Sequence, residues 1–188
     1  AVRRVPAGAV AGWRIEQGAL ETAIEQAEVA GTRVTAALLS SPHNPTGRAY
    51  GAHELMALER VASNRGLLVI SDEIWADVVF TGRRHVPFAM IAEMGGGRAR
   101  HVAVSSASKA FSLAGLRCAV AEIAEAELAV RIAELPDHLR GAVSTPGAVA
   151  TLAALDAGGP WLADTVAFLG SRRDHLAARL AAELPKVR

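Results

Sequence analysis

Cysteine is almost missing from the sequence: Cys118 stands alone among 188 residues, so neither an internal disulfide nor a CxxC metal or redox pair can form. A reducing compartment suits such a chain, and a cytoplasmic setting is expected. Cys118 itself reads as a small buried hydrophobe. An excess of one charge is absent as well. Twenty Lys and Arg stand against 19 Asp and Glu, a formal net charge of +1, with no long block of either sign to track phosphates. Nucleic acid is therefore not expected as a partner. The longest uncharged stretch, 141–155, is shorter than a membrane span and contains Pro146, so no membrane partner is expected either. Arg3 and Arg4 precede a short apolar run that carries Pro6 and ends at Arg14, which does not make a targeting segment. Six histidines are scattered without HExxH spacing, so no metal site is expected. No GxGxxG follows a strand and no GxSxG occurs, which argues against a Rossmann dehydrogenase and a Ser-His-Asp hydrolase.

What is present is a globular balance, 51% hydrophobic and 21% charged, in a chain long enough for a large core. Four short apolar segments, 35–40, 67–70, 101–105 and 118–123, read as strands. Between the first two, 51–64 places Leu55, Met56, Leu58 and Val61 at helical spacing and is followed by Gly66, the signature of a crossover helix. Residues 20–30, 128–135 and 147–155 are further helical patterns. The last, 160–184, opens with Pro160 and is long enough to bridge two domains. Leu67 to Ile70 are apolar on both faces of a strand, as in a parallel sheet covered on both sides. The expected class is α/β, a mostly parallel sheet with helices on both faces.

In such sheets ligand groups collect at the carboxyl ends of the strands. After the first strand, Ser41-Pro42-His43-Asn44-Pro45-Thr46-Gly47 holds Asn44 in a rigid loop. After the second come Ser71-Asp72-Glu73-Ile74-Trp75. After the third come Ser105-Ser106-Ala107-Ser108-Lys109, then Phe111 and, further on, Arg117. Taken singly, Asn44 is a turn residue, Asp72 a helix cap, Lys109 a solvated side chain and Arg117 an ion-pair partner. Together they supply what a phosphorylated aromatic aldehyde needs: an amine for a Schiff base, a carboxylate for a pyridinium nitrogen, and hydroxyls with a guanidinium for a phosphate.

These segments, in this order and spacing, resemble the fold-type I pyridoxal-phosphate enzymes of the class I/II aminotransferase superfamily. The resemblance implies that Lys109 carries the cofactor and shuttles the substrate proton, that Asp72 binds the pyridine nitrogen and that Asn44 bonds the ring hydroxyl. It implies a phosphate cup that includes Ser106, Ser108 and Arg117. Pro42 to Arg48, Ser71 to Ile74 and Gly159-Pro160-Trp161-Leu162 are most similar to the cystathionine β-lyase group of the MalY/PatB type. The implied activity is a carbon–sulfur β-lyase acting on amino acids, with transamination to a 2-oxo acid as the alternative. A further alternative is the aminotransferase-like effector domain of a transcription regulator. That group usually carries Gln near the histidine of the Asn44 loop.

One position departs from the pattern. Relatives usually have Tyr or His where this chain has Trp75, whose indole can donate one hydrogen bond but cannot accept or titrate. Trp75 is thus a cofactor contact by donation to the ring oxygen, or a core aromatic. The resemblance also implies a homodimer and about twice this length. An upstream segment would add a ring-stacking aromatic, and a downstream small domain an arginine for the substrate carboxylate. The expectation is a fragment, with 1–158 as part of a cofactor-binding large domain and 159–188 as a helix leading into a small domain. Alone, it is expected to be inactive.

Overall fold

A computed structural model of the chain describes residues 13–186. Helix α1 (Gln17–Val29) leads to β1 (Ala36–Ser40), α2 (Ala52–Arg65) and β2 (Leu68–Asp72). Next come α3 (Phe88–Met94), β3 (Arg100–Ser105), the one-turn α4 (Ala107–Ala110), a 3-10 turn over Ala114–Leu116, and β4 (Val120–Ile123). Helices α5 (Ala126–Ala133), α6 (Asp137–Arg140), α7 (Thr145–Ala157) and α8 (Gly159–Glu183) follow. The four strands form one sheet in sequence order. β1, β2 and β3 are parallel and β4 runs antiparallel at the edge.

The pleat sorts side chains by register. Ala37, Val69 and His101 are partners, as are Leu39, Ser71 and Ala103, and this face carries the core. Leu39, Val69, Ser71, His101 and Ala103 are all buried on it. Leu55, Leu58 and Val61 of α2, Phe88 and Ile91 of α3 and Ile24 of α1 complete the core. The opposite face carries Leu38, Ile70 and Val102, then Ser40, Asp72 and Val104. Among the described residues its cover is thinner than the all-apolar 67–70 segment suggests: Leu38 is 75% exposed and Ile70 and Val102 are half-buried.

All four strands expected from the sequence form, as do the long helical patterns. Gly66 ends α2 in the left-handed region at φ 64°, its N–H bonded to the carbonyl of Ala62. The sequence reading did not contain α3, a seven-residue helix between Pro87 and Gly95 that is too short to show a periodic pattern. Cys118 is only partly buried. The Arg3 and Arg4 reading lies outside the described residues. No helix among the described residues is long and apolar enough to cross a membrane.

The core assignment predicts a contrast in unfolding. Leu55 is fully buried, so Leu55→Ala should cost about 2–5 kcal/mol, whereas Val29→Ala, 90% exposed at the end of α1, should stay within about 0.5 kcal/mol. Denaturant melts of the two variants measure this. Equal midpoints would contradict the assignment.

Candidate active site

The carboxyl end of β1 turns at once into the Asn44 loop. Ser41 N–H donates to the carbonyl of Asp72 (3.0 Å), continuing the β1–β2 ladder one residue past the strand. His43 N–H donates to Arg48 O (2.8 Å) and Gly47 N–H to His43 O (2.7 Å), closing a tight turn that leaves Asn44 exposed. His43 Nδ1 and Thr46 Oγ1 lie 2.8 Å apart and brace it from inside. Below the turn, Arg48 holds the buried Glu54 with both guanidinium ends, Nη1 to Oε1 at 2.7 Å and Nη2 to Oε2 at 3.1 Å. Glu54 also accepts from the N–H groups of Gly51 and Ile15, each at 3.1 Å. Burial alone would raise its pKa; Arg48 and the two backbone donors outweigh burial and hold it below the usual glutamate range. Tyr50 lies beneath the Arg48 guanidinium, 5.2 Å from its carbon, and burial pushes its phenol pKa up.

Asp72 is the last residue of β2, in register between Ser40 and Val104 and on the more open face of the sheet. Its Oδ1 accepts from Ile74 N–H at 3.2 Å and braces the turn at 74–77, which leads into no helix, so Asp72 is not a helix cap; Oδ2 makes no hydrogen bond among the described residues. The next residue, Glu73, turns back into the core. It accepts from Ser71 Oγ (2.7 Å), His85 Nε2 (2.9 Å) and Phe88 N–H (2.9 Å). Burial would raise its pKa, but these three donors and the nearby imidazole pull it below the usual range. An ionised carboxylate only accepts, so His85 carries its hydrogen on Nε2. Its Nδ1 is buried without a partner among the described residues.

At the end of β3, Ser106 caps α4: its Oγ accepts from Ser108 N–H (3.1 Å) and lies 2.7 Å from Ser108 Oγ and 2.6 Å from the carbonyl of Cys118. The hydroxyls of Ser106 and Ser108 thus join β3 to the segment returning toward β4. Lys109 is exposed, and its Nζ lies 5.5 Å from the centre of the Trp75 ring, within cation–π range. Arg117 is also exposed, in the left-handed region at φ 51° where the 3-10 turn ends, immediately before Cys118. Further along, Phe111 stacks on Trp161 with centroids 5.9 Å apart, and a Cβ on Gly158 would collide with the Phe111 ring. The Gly-Pro-Trp sequence at the start of α8 is therefore a packing joint onto the segment after Lys109.

The fold thus brings Lys109, Trp75, Asp72, Ser106 and Ser108 to one edge, and the β1–β2 register brings the Asn44 loop to the same edge. Arg117 reaches it through Cys118 and Ser106. No salt bridge joins Arg117 to an acid among the described residues. Sequence reasoning missed Glu73, His85 and the Arg48–Glu54 pair. A glutamate three residues after Gly51 is a helix-start signal that could have drawn attention to Glu54. Nothing in the pattern marked Glu73 as buried.

The sequence pattern of the family described as aminotransferase class I and II matches residues 1–187. The chain belongs to that family. Within it, the chain is 31% identical over 156 residues to cystathionine beta-lyase PatB of Bacillus subtilis, covering 82% of this chain and 40% of that protein. It is 34% identical over 145 residues to the aspartate aminotransferase of Geobacillus stearothermophilus, covering 76% and 35%. Among solved structures, the PLP-bound C-S lyase from Staphylococcus hominis superposes with a TM-score of 0.80 at 29% identity, over 92% of this chain and 41% of that one. The chain spans less than half the length of the curated relatives it matches.

Glu73 gives a test in acid. Its pKa is lowered in the folded protein, so it adds stability that is fully present above the unfolded value, about 4.3, and is lost as pH falls through the lower folded value. Glu73→Gln should cost about 1.5–3 kcal/mol at neutral pH and shrink the loss of stability below about pH 4.5. Thermal melts across pH 3–7 check both, and an unchanged acid limb would contradict the assignment.

Proposed function

We propose that the whole protein is a pyridoxal-phosphate enzyme that acts on amino acids as a carbon–sulfur β-lyase of the cystathionine β-lyase type. The observation that carries the reading is the juxtaposition of Lys109 Nζ with the Trp75 ring at the same carboxyl edge of the sheet where β2 ends in Asp72. The similarity to PatB and to the Staphylococcus C-S lyase supports the lyase reading over other outcomes.

The donor set fits the cofactor. Asp72 Oδ2 is free among the described residues to pair with a protonated ring nitrogen, and the exposed amide of Asn44 can donate to the ring hydroxyl. Arg117 and the Ser108 hydroxyl can donate to a phosphate, the guanidinium offering two parallel bonds, while Ser106, whose hydroxyl hydrogen faces the Cys118 carbonyl, positions Ser108. When bound, pyridoxal phosphate supplies an electron sink for charge left on the α carbon of an amino acid. Asp72 acts by keeping a proton on the ring nitrogen, which a neutral amide could not do. Lys109 would hold the cofactor through its Nζ, and as a free amine that same Nζ would serve as the base for the α proton. Trp75 flanks Nζ with its ring face and so limits the directions from which the amine approaches.

Transamination is the second reading, favoured by the similarity to the Geobacillus aspartate aminotransferase. Both reactions share the proton removed by Lys109 and diverge when a β substituent leaves. We further assign the protein to the cytoplasm as a homodimer, with 1–158 in the cofactor-binding domain and 159–188 leading into a second one.

Incubating the whole protein with cystathionine or a cysteine S-conjugate should release pyruvate and ammonia faster than any keto acid is converted to its amino acid. Faster transamination on every sulfur substrate would favour the second reading. Asp72→Asn should slow both outputs by at least about 100-fold, a loss of some 2.7 kcal/mol of transition-state stabilisation. Near wild-type turnover would reduce Asp72 to a turn residue.

A further inference from the structure

Beside the first turn of α2 lies a cleft of about 340 Å³ lined by Arg14, Arg48, Arg83 and Arg84, with Tyr50 and His53. Its one carboxylate is already spent. Glu54 is 2% exposed, and both oxygens are taken by Arg48 and by the N–H groups of Gly51 and Ile15. Arg14, Arg83 and Arg84 form no salt bridge among the described residues. Four guanidiniums against one neutralised acid leave an excess of three positive charges around a small polar space.

The turn that carries two of these arginines is fixed at both ends. Arg83 N–H donates to the carbonyl of Phe80 (3.1 Å), and the Phe80 ring lies 4.4 Å from the guanidinium carbon of Arg173 on α8. On the other side, His85, the residue after Arg84, is bound to Glu73. Gly82 takes φ 84° between them, a conformation that ordinary side chains resist. The backbone that carries Arg83 and Arg84 is therefore held at the cleft, and the two exposed guanidiniums, with no acid partner among the described residues, remain available to a ligand. Arg48, fixed by Glu54 and by the carbonyl of Trp13 (2.9 Å), forms the floor.

We propose that this cleft binds a small oxyanion with two or more negative charges. Guanidinium forks match phosphate or carboxylate oxygens in pairs. The volume suits a small molecule rather than a polymer. Neither the arginine cluster nor the cleft enters the reaction assigned to Lys109 and Asp72, and the inference stands whether or not that assignment holds.

The test uses the whole protein saturated with pyridoxal phosphate, with calorimetric titration by pyrophosphate and, separately, by citrate, at low salt. Saturable binding of either probe with Kd below about 1 mM is expected. The stronger of the two identifies the phosphate or the polycarboxylate class. The Arg83→Ala/Arg84→Ala variant should weaken it by at least about tenfold, as should Arg14→Ala, while Arg131→Ala on α5 should not change it. Arg117→Ala separates this cleft from the proposed phosphate cup: binding retained supports the cleft, and binding lost there overturns it. Absence of saturation up to about 10 mM of both probes, or equal affinity in the Arg83/Arg84 variant, also overturns the proposal.

Discussion

A carboxylate removed from water survives only where donors replace its hydration, and Glu73 is given three of them from three different places along the chain. Ser71 lies just upstream on β2, His85 at the far end of a loop, and Phe88 at the first turn of α3. The carboxylate therefore closes the segment 74–87 on itself. Asp72 precedes it, Trp75 follows it, and Arg83 and Arg84 sit just before its histidine. Had Glu73 faced solvent, the segment that carries Trp75, Arg83 and Arg84 would lose its tie to β2 and α3.

A second constraint is the alternation along β2. Val69 and Ser71 face the core, so Ile70 and Asp72 face the other side, and the parallel register carries that choice to Ser40 and Val104. A slip of one residue would bury Asp72 and expose Glu73. The pairing of Ser41 N–H with the Asp72 carbonyl, and of Glu73 N–H with that of Val104 (2.8 Å), extends both ladders beyond the strands and makes such a slip costly. The same edge thus collects an amide from β1, an acid from β2 and an amine with two hydroxyls from β3.

Much of this was legible in the sequence, and for identifiable reasons. The four strands are short apolar runs bounded by turn residues, and their carboxyl ends carry the polar clusters that a parallel sheet gathers. Gly66 announced the end of α2 because only a residue at ease with positive φ fits there. What escaped was long-range pairing. Glu73 and Arg48 look in one dimension like surface charges, since burial and partner are properties of contacts between residues far apart in the chain. Helix α3 escaped because seven residues give less than two full turns of pattern. Trp75 was visible as a departure from the usual Tyr or His, but its place against Lys109 required the fold.

The central claim is that the amine held against Trp75 is the one that takes the cofactor. Within this chain the only other lysine is Lys186, close to its carboxyl end. Borohydride reduction of the whole protein in the presence of pyridoxal phosphate, followed by peptide mapping, should place the stable adduct on Lys109. An adduct confined to any other lysine, or none at all, would contradict the assignment.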